Sequence, residues 1–204
     1  AQNGSVTLAN GTVNTAFLDY TSLNAAPLLG AKNVFYSTLT ANITGAGNGI
    51  NLALGRGLTI AGLRTADGDV DLNVSSGNLV IAGPLTANAG ANNVSLTSTA
   101  GKVSASPSAG LVSANLLAVT ARDSSTLTTA ARSLVANITG ATSSLTISEA
   151  DDLAIGVGNV VTNAGELAIT LVSGSLARNG SINAGTAATS FVKLDAGQGL
   201  MTDA

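Results

Sequence analysis

The sequence predicts an all-β fold in which the chain coils into a parallel β-helix, or solenoid, with three short strands per coil. Three observations predict it: aliphatic pairs spaced i and i+2 recur throughout, they repeat about every 23 residues, and Gly or Asn precedes many of them at the same phase. Helical spacing of apolar residues is not sustained, because Gly or Pro interrupts nearly every window of helical length.

Three columns of aliphatic residues advance together along the chain, and the period implies roughly eight to nine coils. The first column comprises Val6, Leu29, Ile50, Val70, Val94, Leu117, Leu145, Leu167 and Val192. The second comprises Val13, Val34, Leu58, Leu79, Val103, Leu127, Leu153, Leu176 and Leu200. The third comprises Leu18, Leu39, Leu63, Leu85, Val112, Val135, Val161 and Ile182. Residues 1–49 fit the columns least regularly.

Each aliphatic pair defines a short strand with one buried face. Val70 and Leu72, for example, flank Asp71. Because side chains alternate along a strand, the two aliphatic residues face the core and the aspartate faces solvent. The same phase recurs in every period, so we expect each strand to pair in parallel with its counterpart one coil later, about 4.8 Å away.

The composition suits one continuous rod over residues 1–204. Apolar residues make up 45% of the chain and aromatic residues only 2%, so Val, Leu, Ile and Ala must fill the interior. One coil of such residues cannot offset its own ordering entropy, so stability has to come from contacts between neighbouring coils. Neither terminal stretch resembles a charged or amphipathic cap, and we therefore expect a segment of a longer or polymerising solenoid.

The charge pattern and the missing residue types exclude several kinds of function. The net charge is −3 and the 8 Lys and Arg residues are scattered, which is not the footprint of a nucleic-acid-binding protein. Cys and His are both absent, which removes disulfides, thiolate nucleophiles, His-based triads and the usual zinc sites. The uncharged stretch 72–101 contains too many Asn and Ser residues to form a transmembrane helix.

Two acidic clusters are candidate metal sites. Asp67, Asp69 and Asp71 are spaced i, i+2, i+4, so convergent carboxylates there are candidate ligands for Ca²⁺, which prefers six to eight oxygen ligands. The structural alternative is a solvated acidic edge that discourages strand mispairing. The same two interpretations apply to the second cluster, formed by Glu149, Asp151 and Asp152. No other cofactor is predicted.

Glycine-rich stretches and glycosylation triplets carry less information. GAGNG at 45–49 and GVGN at 156–159 resemble phosphate loops, but no helix start or Gly-Lys-Ser/Thr follows, so turn glycines are expected. Asn-x-Ser/Thr triplets begin at Asn3, Asn10, Asn42, Asn73, Asn93, Asn137 and Asn179. Such triplets are expected by chance in a chain this rich in Asn, Ser and Thr.

Longer strings of the sequence resemble a known type of repeat. GDVDLNVSSGNLVIAGPLTANAGANNVSLTSTAGKV and GELAITLVSGSLARNGSINAG are similar to the repeats of filamentous-haemagglutinin-type exoproteins, large adhesins that bacteria secrete across the outer membrane. The resemblance covers most of residues 45–200. It implies a right-handed β-helix, an extracellular or cell-surface location, and roles in adhesion or fibre formation. It supplies no catalytic residues, and the family's amino-terminal secretion motif is not found here.

These observations predict a non-catalytic structural rod of a secreted adhesin or surface fibre. Expected partners are copies of itself, the continuation of a longer chain, or a glycan or protein on a neighbouring cell surface. A carbohydrate-active β-helix is the first alternative, and three or more charged side chains converging in one groove would favour it. An ice-binding solenoid is the second, but its outward Thr array is interrupted by charged residues such as Asp71 and Lys193.

Overall fold

The structure is a computed structural model that describes residues 13–23, 34–188, 190–197 and 199–203. Within these ranges the protein consists of strands, turns and one short 3-10 helix, Asn88–Gly90. In chain order the strands are β1 (Val13–Asn14), β2 (Phe17–Ser22), β3 (Val34–Phe35), β4 (Thr38–Ile43), β5 (Ile50–Leu54), β6 (Leu58–Thr65), β7 (Val70–Val74), β8 (Leu79–Ile81), β9 (Leu85–Ala87), β10 (Val94–Ser98), β11 (Val103–Ala105), β12 (Leu111–Ala121), β13 (Ser125–Ile138), β14 (Leu145–Glu149), β15 (Leu153–Thr162), β16 (Glu166–Leu171), β17 (Leu176–Arg178), β18 (Ile182–Asn183), β19 (Phe191–Asp195) and β20 (Met201–Asp203).

Equivalent strands of successive coils lie over one another in parallel. Val94 pairs with Val70 of the preceding coil and with Leu117 of the following one. All three side chains are buried. The predicted parallel stack is confirmed as a β-solenoid of about 8 turns. This architecture needs no separate crossover helix, because the other sides of each coil return the chain to the next parallel strand.

The core is a column of aliphatic side chains that runs through the coils. In β7, Val70, Leu72 and Val74 point inward, while Asp71 and Asn73 point away from the core. This is the alternation that a half-buried strand requires. Each fully buried Leu or Ile stabilises the folded state by roughly 1.5–3 kcal/mol relative to an exposed one. The largest fully buried side chains are Leu39, Ile43, Leu52, Ile60, Leu72, Leu79, Ile81, Leu85, Leu96, Leu117 and Leu127.

One coil is shorter than the predicted period, and as a result residues of one predicted column pair with residues of another. Leu117 pairs with Leu134, 17 residues later, whereas the columns place it beside Leu145. Leu145 instead lies between Ser125 and Leu167. The first two predicted columns therefore exchange beyond Leu117, and that part of the alignment is wrong. The third column also fails here, because Val112 pairs with Thr129 and not with Val135. The physical reason is that β12 and β13, 11 and 14 residues long, turn a corner without leaving strand conformation, so the coil needs no extra turn residues.

The early coils agree with the columns only in part. Val13 pairs with Val34 and Leu18 with Leu39, as predicted. Leu39, however, lies beside Ile60, and the predicted partner Leu63 lies beside Ala41. A one-residue bulge separates the two registers within β4 and β6. Other positions of the repeat and of the glycosylation triplets lie outside the described residues, namely Val6, Leu29, Asn3 and Asn10.

Buried threonines close two of the corners. The hydroxyl of Thr65 donates a hydrogen bond of 2.6 Å to the carbonyl of Gly68, and Thr162 donates one of 3.3 Å to the carbonyl of Gly165. Both hydroxyls are buried, so each bond satisfies a polar group that would otherwise be desolvated at a cost. A Thr-x-x-Gly segment therefore lets the chain turn while its first residue stays in the core.

Candidate functional site

The first acidic cluster serves the turns of its own coils. The amide of Gly47 donates to Asp67 Oδ2 at 3.0 Å, and the amide of Asn93 donates to Asp69 Oδ1 at 2.8 Å. Asp71 lies on the outward face of β7, as its place between Val70 and Leu72 predicts. Two of the three carboxylates thus accept backbone hydrogen bonds from different coils.

Calcium binding at this cluster stays a sequence prediction without geometric support. Across the described ranges, no group of three or more Asp, Glu, His or Cys side chains is arranged to hold a metal ion. Asp69 instead makes a type of hydrogen bond that recurs along the solenoid, in which the side chain of a turn residue accepts a bond from a backbone amide of the next coil. Other examples are Asn78 with Lys102 N, Ser144 with Glu166 N, Asp152 with Ser175 N and Ser175 with Leu200 N.

The second acidic cluster is divided between the interior and the surface. Glu149 is fully buried, whereas Asp151 and Asp152 are exposed. The surface interpretation of Glu149 is therefore wrong. Leu145 and Ile147 precede it at i−4 and i−2 on the inward face of β14, so the alternation of the strand predicted burial and should have outweighed the residue type.

The Glu149 carboxylate is saturated with donors. The Thr129 hydroxyl donates to Oε2 at 2.7 Å, and the amide of Ala131 donates to both oxygens at 3.1 Å. The amide of Ala150 donates to Oε1 at 2.9 Å. Burial raises the pKa of Glu149 above its usual 4.5, and the nearby Asp151 raises it further, against the lowering effect of these hydrogen bonds.

A groove on the surface is lined by residues that follow this buried network in the chain. It has a volume of about 570 Å³ and is lined by Arg132, Asp151, Asp152, Leu153, Ala154, Ser175 and Ala177. Over the described part of the chain, the Arg132 guanidinium and the Asp151 carboxylate make no hydrogen bond or ion pair. Asp152 uses one oxygen for the amide of Ser175, at 2.7 Å. The groove therefore presents charged groups of both signs.

The glycines of the two glycine-rich stretches have a structural role in the backbone. Gly47 has a φ of +70° in the 45–49 turn, and the backbone of Asp69 lies where a Cβ on Gly49 would project. The glycines of the 156–159 stretch predicted a turn, and this prediction is wrong. The stretch belongs to β15 and lies opposite the irregularity in the β13 register. A side chain at Gly158 would meet Val135 there.

The outward threonine row is short. Thr126 pairs with Thr146, but Ala168 and Lys193 occupy the same row in the next two coils. The interruption predicted from the sequence is therefore present, and the ice-binding alternative gains no support.

Apolar side chains are exposed on the last described coil. Val192 is 43% exposed on β19 and Met201 is 53% exposed on β20, and Leu200, which precedes Met201, is 71% exposed. Phe191, on the outward face of β19, is 51% exposed. Among the described residues, β19 pairs only with β16 and β20 only with β17, so one edge of each strand lacks a recorded partner. A second cavity of about 260 Å³ lies here, lined by Leu176, Arg178, Ile182, Leu194, Met201 and Thr202.

Comparison with known proteins leaves the solenoid without a family assignment. No protein-family model, no curated protein and no solved structure matches the chain. Within the described ranges, no helix has the length and apolar character that a membrane span requires.

Proposed function

We propose that this chain is a structural rod of a secreted bacterial adhesin or extracellular surface fibre, and that it provides extension and association without catalysis. The observation that carries the proposal is the aliphatic column running through about 8 parallel coils. A stack of this kind is rigid along its axis, because each coil shares its backbone hydrogen bonds and its core with both neighbours. About 8 coils at 4.8 Å give a rod roughly 40 Å long.

The resemblance of the repeats to filamentous-haemagglutinin-type exoproteins supports the same proposal. A β-solenoid is compatible with repeats of that style. The surface composition is also suitable, since only 9% of residues are charged and Asn, Ser and Thr are frequent at the exposed positions. Immunogold labelling of intact, unpermeabilised source cells tests the location: we expect surface label, and label seen only after permeabilisation would contradict the proposal.

We propose further that the rod lengthens by stacking a second copy of the chain end to end. Val192 and Met201 are 43% and 53% exposed at the edges of β19 and β20 that lack a partner among the described residues. They lie in register with the buried Leu167 and Leu176, so they occupy inward positions of the last described coil. A coil of matching geometry satisfies the edge hydrogen bonds while it covers the apolar side chains, and a second copy supplies such a coil. A head-to-tail contact of this kind produces filaments.

Static light scattering and negative-stain electron microscopy over a concentration series test this stacking. We expect particles whose length grows with concentration, and short particles for the Val192→Lys/Met201→Lys variant, because two ammonium groups would be buried at each junction. Val172→Lys is the matched control, since Val172 is 73% exposed but lies in a turn after β16. A wild-type protein that stays monomeric at every concentration would contradict stacking.

A carbohydrate-active solenoid is the second candidate, and one observation favours it. The groove brings Arg132, Asp151 and Asp152 together, which meets the criterion of three charged side chains in one place. Against catalysis, Glu149, whose pKa is raised in the manner of a general acid, is fully buried and already accepts hydrogen bonds on both oxygens. Release of reducing ends from polysaccharides by the wild type, lost in Asp151→Asn, would favour the enzyme over the rod.

A further inference from the structure

We propose that the groove lined by Arg132, Asp151, Asp152 and Ser175 binds a neutral oligosaccharide. The proposal names a partner for the rod function proposed above and rests on it for its setting, an exposed surface that displays a ligand site. The groove volume of about 570 Å³ lies within the range of 300–1,000 Å³ typical of ligand sites.

The charged groups of the groove match sugar hydroxyls. The Arg132 guanidinium has donors to spare and the Asp151 carboxylate has acceptors to spare, since neither makes a hydrogen bond or ion pair within the described residues. A sugar hydroxyl donates and accepts at once, so adjacent hydroxyls can bridge a carboxylate and a guanidinium. Hydrogen bonds to charged groups are the stronger ones, which favours a ligand that forms several of them.

The balance of charge disfavours other ligands. Two carboxylates against one guanidinium leave the groove acidic, which repels phosphate, sulfate and uronate groups. The guanidinium in turn repels a metal cation, consistent with the lack of any metal-holding group in the described ranges. A neutral polyhydroxyl ligand uses both kinds of charge without meeting either repulsion.

Two alanines on the wall of the groove leave space for a sugar ring. Ala154 of β15 and Ala177 of β17 are neighbours in register, and both line the groove. Their methyl groups leave a shallow apolar surface between the charged walls, against which the C–H face of a sugar ring can pack. A larger side chain at Ala177 would fill this space from the surface without entering the core, because Ala177 points away from the buried Leu176.

The buried Glu149 holds the two charged walls in place. Its carboxylate binds the amide of Ala131, the residue before Arg132, and the amide of Ala150, the residue before Asp151. The corners of two successive coils, which carry Arg132 and Asp151, are thus tied together from inside. Such support reduces the ordering cost of binding, because the backbone that carries the ligand contacts is already fixed.

A glycan array of neutral and acidic oligosaccharides tests the proposal, followed by calorimetry of soluble, unassembled protein with the best neutral oligosaccharide. We expect binding of neutral glycans, with affinity weakened roughly tenfold or more in Arg132→Ala and in Asp151→Asn. Ala177→Leu should block binding while leaving both charges intact. Arg122→Ala and Asp123→Asn are matched controls, because these residues are also exposed but lie outside the groove.

The results that overturn the proposal are distinct from those that overturn the rod. No neutral glycan bound at millimolar concentration, a preference for acidic glycans, or equal losses in the groove and control variants would each refute it. Circular dichroism of every variant establishes that it is folded before binding is measured. Filament length plays no part in the calorimetry, so failure to stack and failure to bind are separate outcomes.

Discussion

Replacement of Glu149 by alanine tests the internal tie between coils. The change leaves the amide of Ala131 without its carboxylate acceptor in a dry interior, whereas the amide of Ala150 keeps the carbonyl of Thr129 at 2.8 Å. The buried Thr129 hydroxyl loses its acceptor as well. Each orphaned buried donor costs about 1–3 kcal/mol, and the lost side chain leaves a gap beside the core. We therefore expect Glu149→Ala to lower the free energy of unfolding by about 2–6 kcal/mol.

The loss should depend on pH in a defined direction. Burial raises the folded-state pKa of Glu149 above its usual 4.5, so the folded state binds this proton more tightly than the unfolded chain does. The contribution of the protonated carboxyl is fully present below 4.5 and declines as the pH rises through the raised folded value. Glu149→Ala should accordingly cost more at pH 4 than at pH 8. Glu149→Gln, which cannot ionise, should remove this component of the pH dependence.

Guanidinium unfolding followed by circular dichroism at the two pH values measures both effects. Thr146→Ala on the outward face of the same strand is the control, and it should change stability by no more than about 0.5 kcal/mol. The reasoning is refuted if Glu149→Ala is as stable as Thr146→Ala. It is also refuted if Glu149→Gln keeps the pH profile of the wild type, because the titrating group would then lie elsewhere.

Three further predictions concern the core and the corners, each measured by thermal or denaturant unfolding. Leu72→Ala should cost about 2–5 kcal/mol, because the side chain is fully buried and the gap persists between ordered coils. Gly83→Ala should be destabilising, since a Cβ there meets the backbone carbonyl of Ala61, whereas Gly55→Ala, with open space around it, should be neutral or slightly stabilising. Thr65→Val should cost about 1–3 kcal/mol by leaving the corner carbonyl that it binds unpaired; an unchanged unfolding midpoint would show that water replaces the hydroxyl.

Local patterns in the sequence were sufficient for the strand faces and the stacking direction. Alternation about Asp71 identified the buried pair Val70 and Leu72, and recurrence of that phase required parallel neighbours. The same rule applied to Glu149 predicts an inward carboxyl, so the signal existed and was overridden by the expectation that acids are exposed. Side-chain direction is a local property of a strand and can therefore be predicted from a few residues.

The candidate groove could not be predicted in the same way. Arg132, Asp151 and Ser175 belong to three successive coils, and no spacing in the sequence links an arginine to acids about one coil later. The acids themselves were identified, but as a metal cluster that included Glu149. Which side chains share a groove depends on the lengths of the intervening turns, and the sequence shows these only approximately.

By itself the sequence determined that short half-buried strands repeat and stack in parallel around an aliphatic core, because each strand carries its own alternation and each turn its own glycine or asparagine. Only the tertiary structure decided that Leu117 lies beside Leu134, that Glu149 ties two corners together, and that residues of three coils line one groove. In a chain so rich in Val and Leu, many registers bury similar apolar area. The choice among them depends on hydrogen bonds between distant residues, which no local pattern encodes.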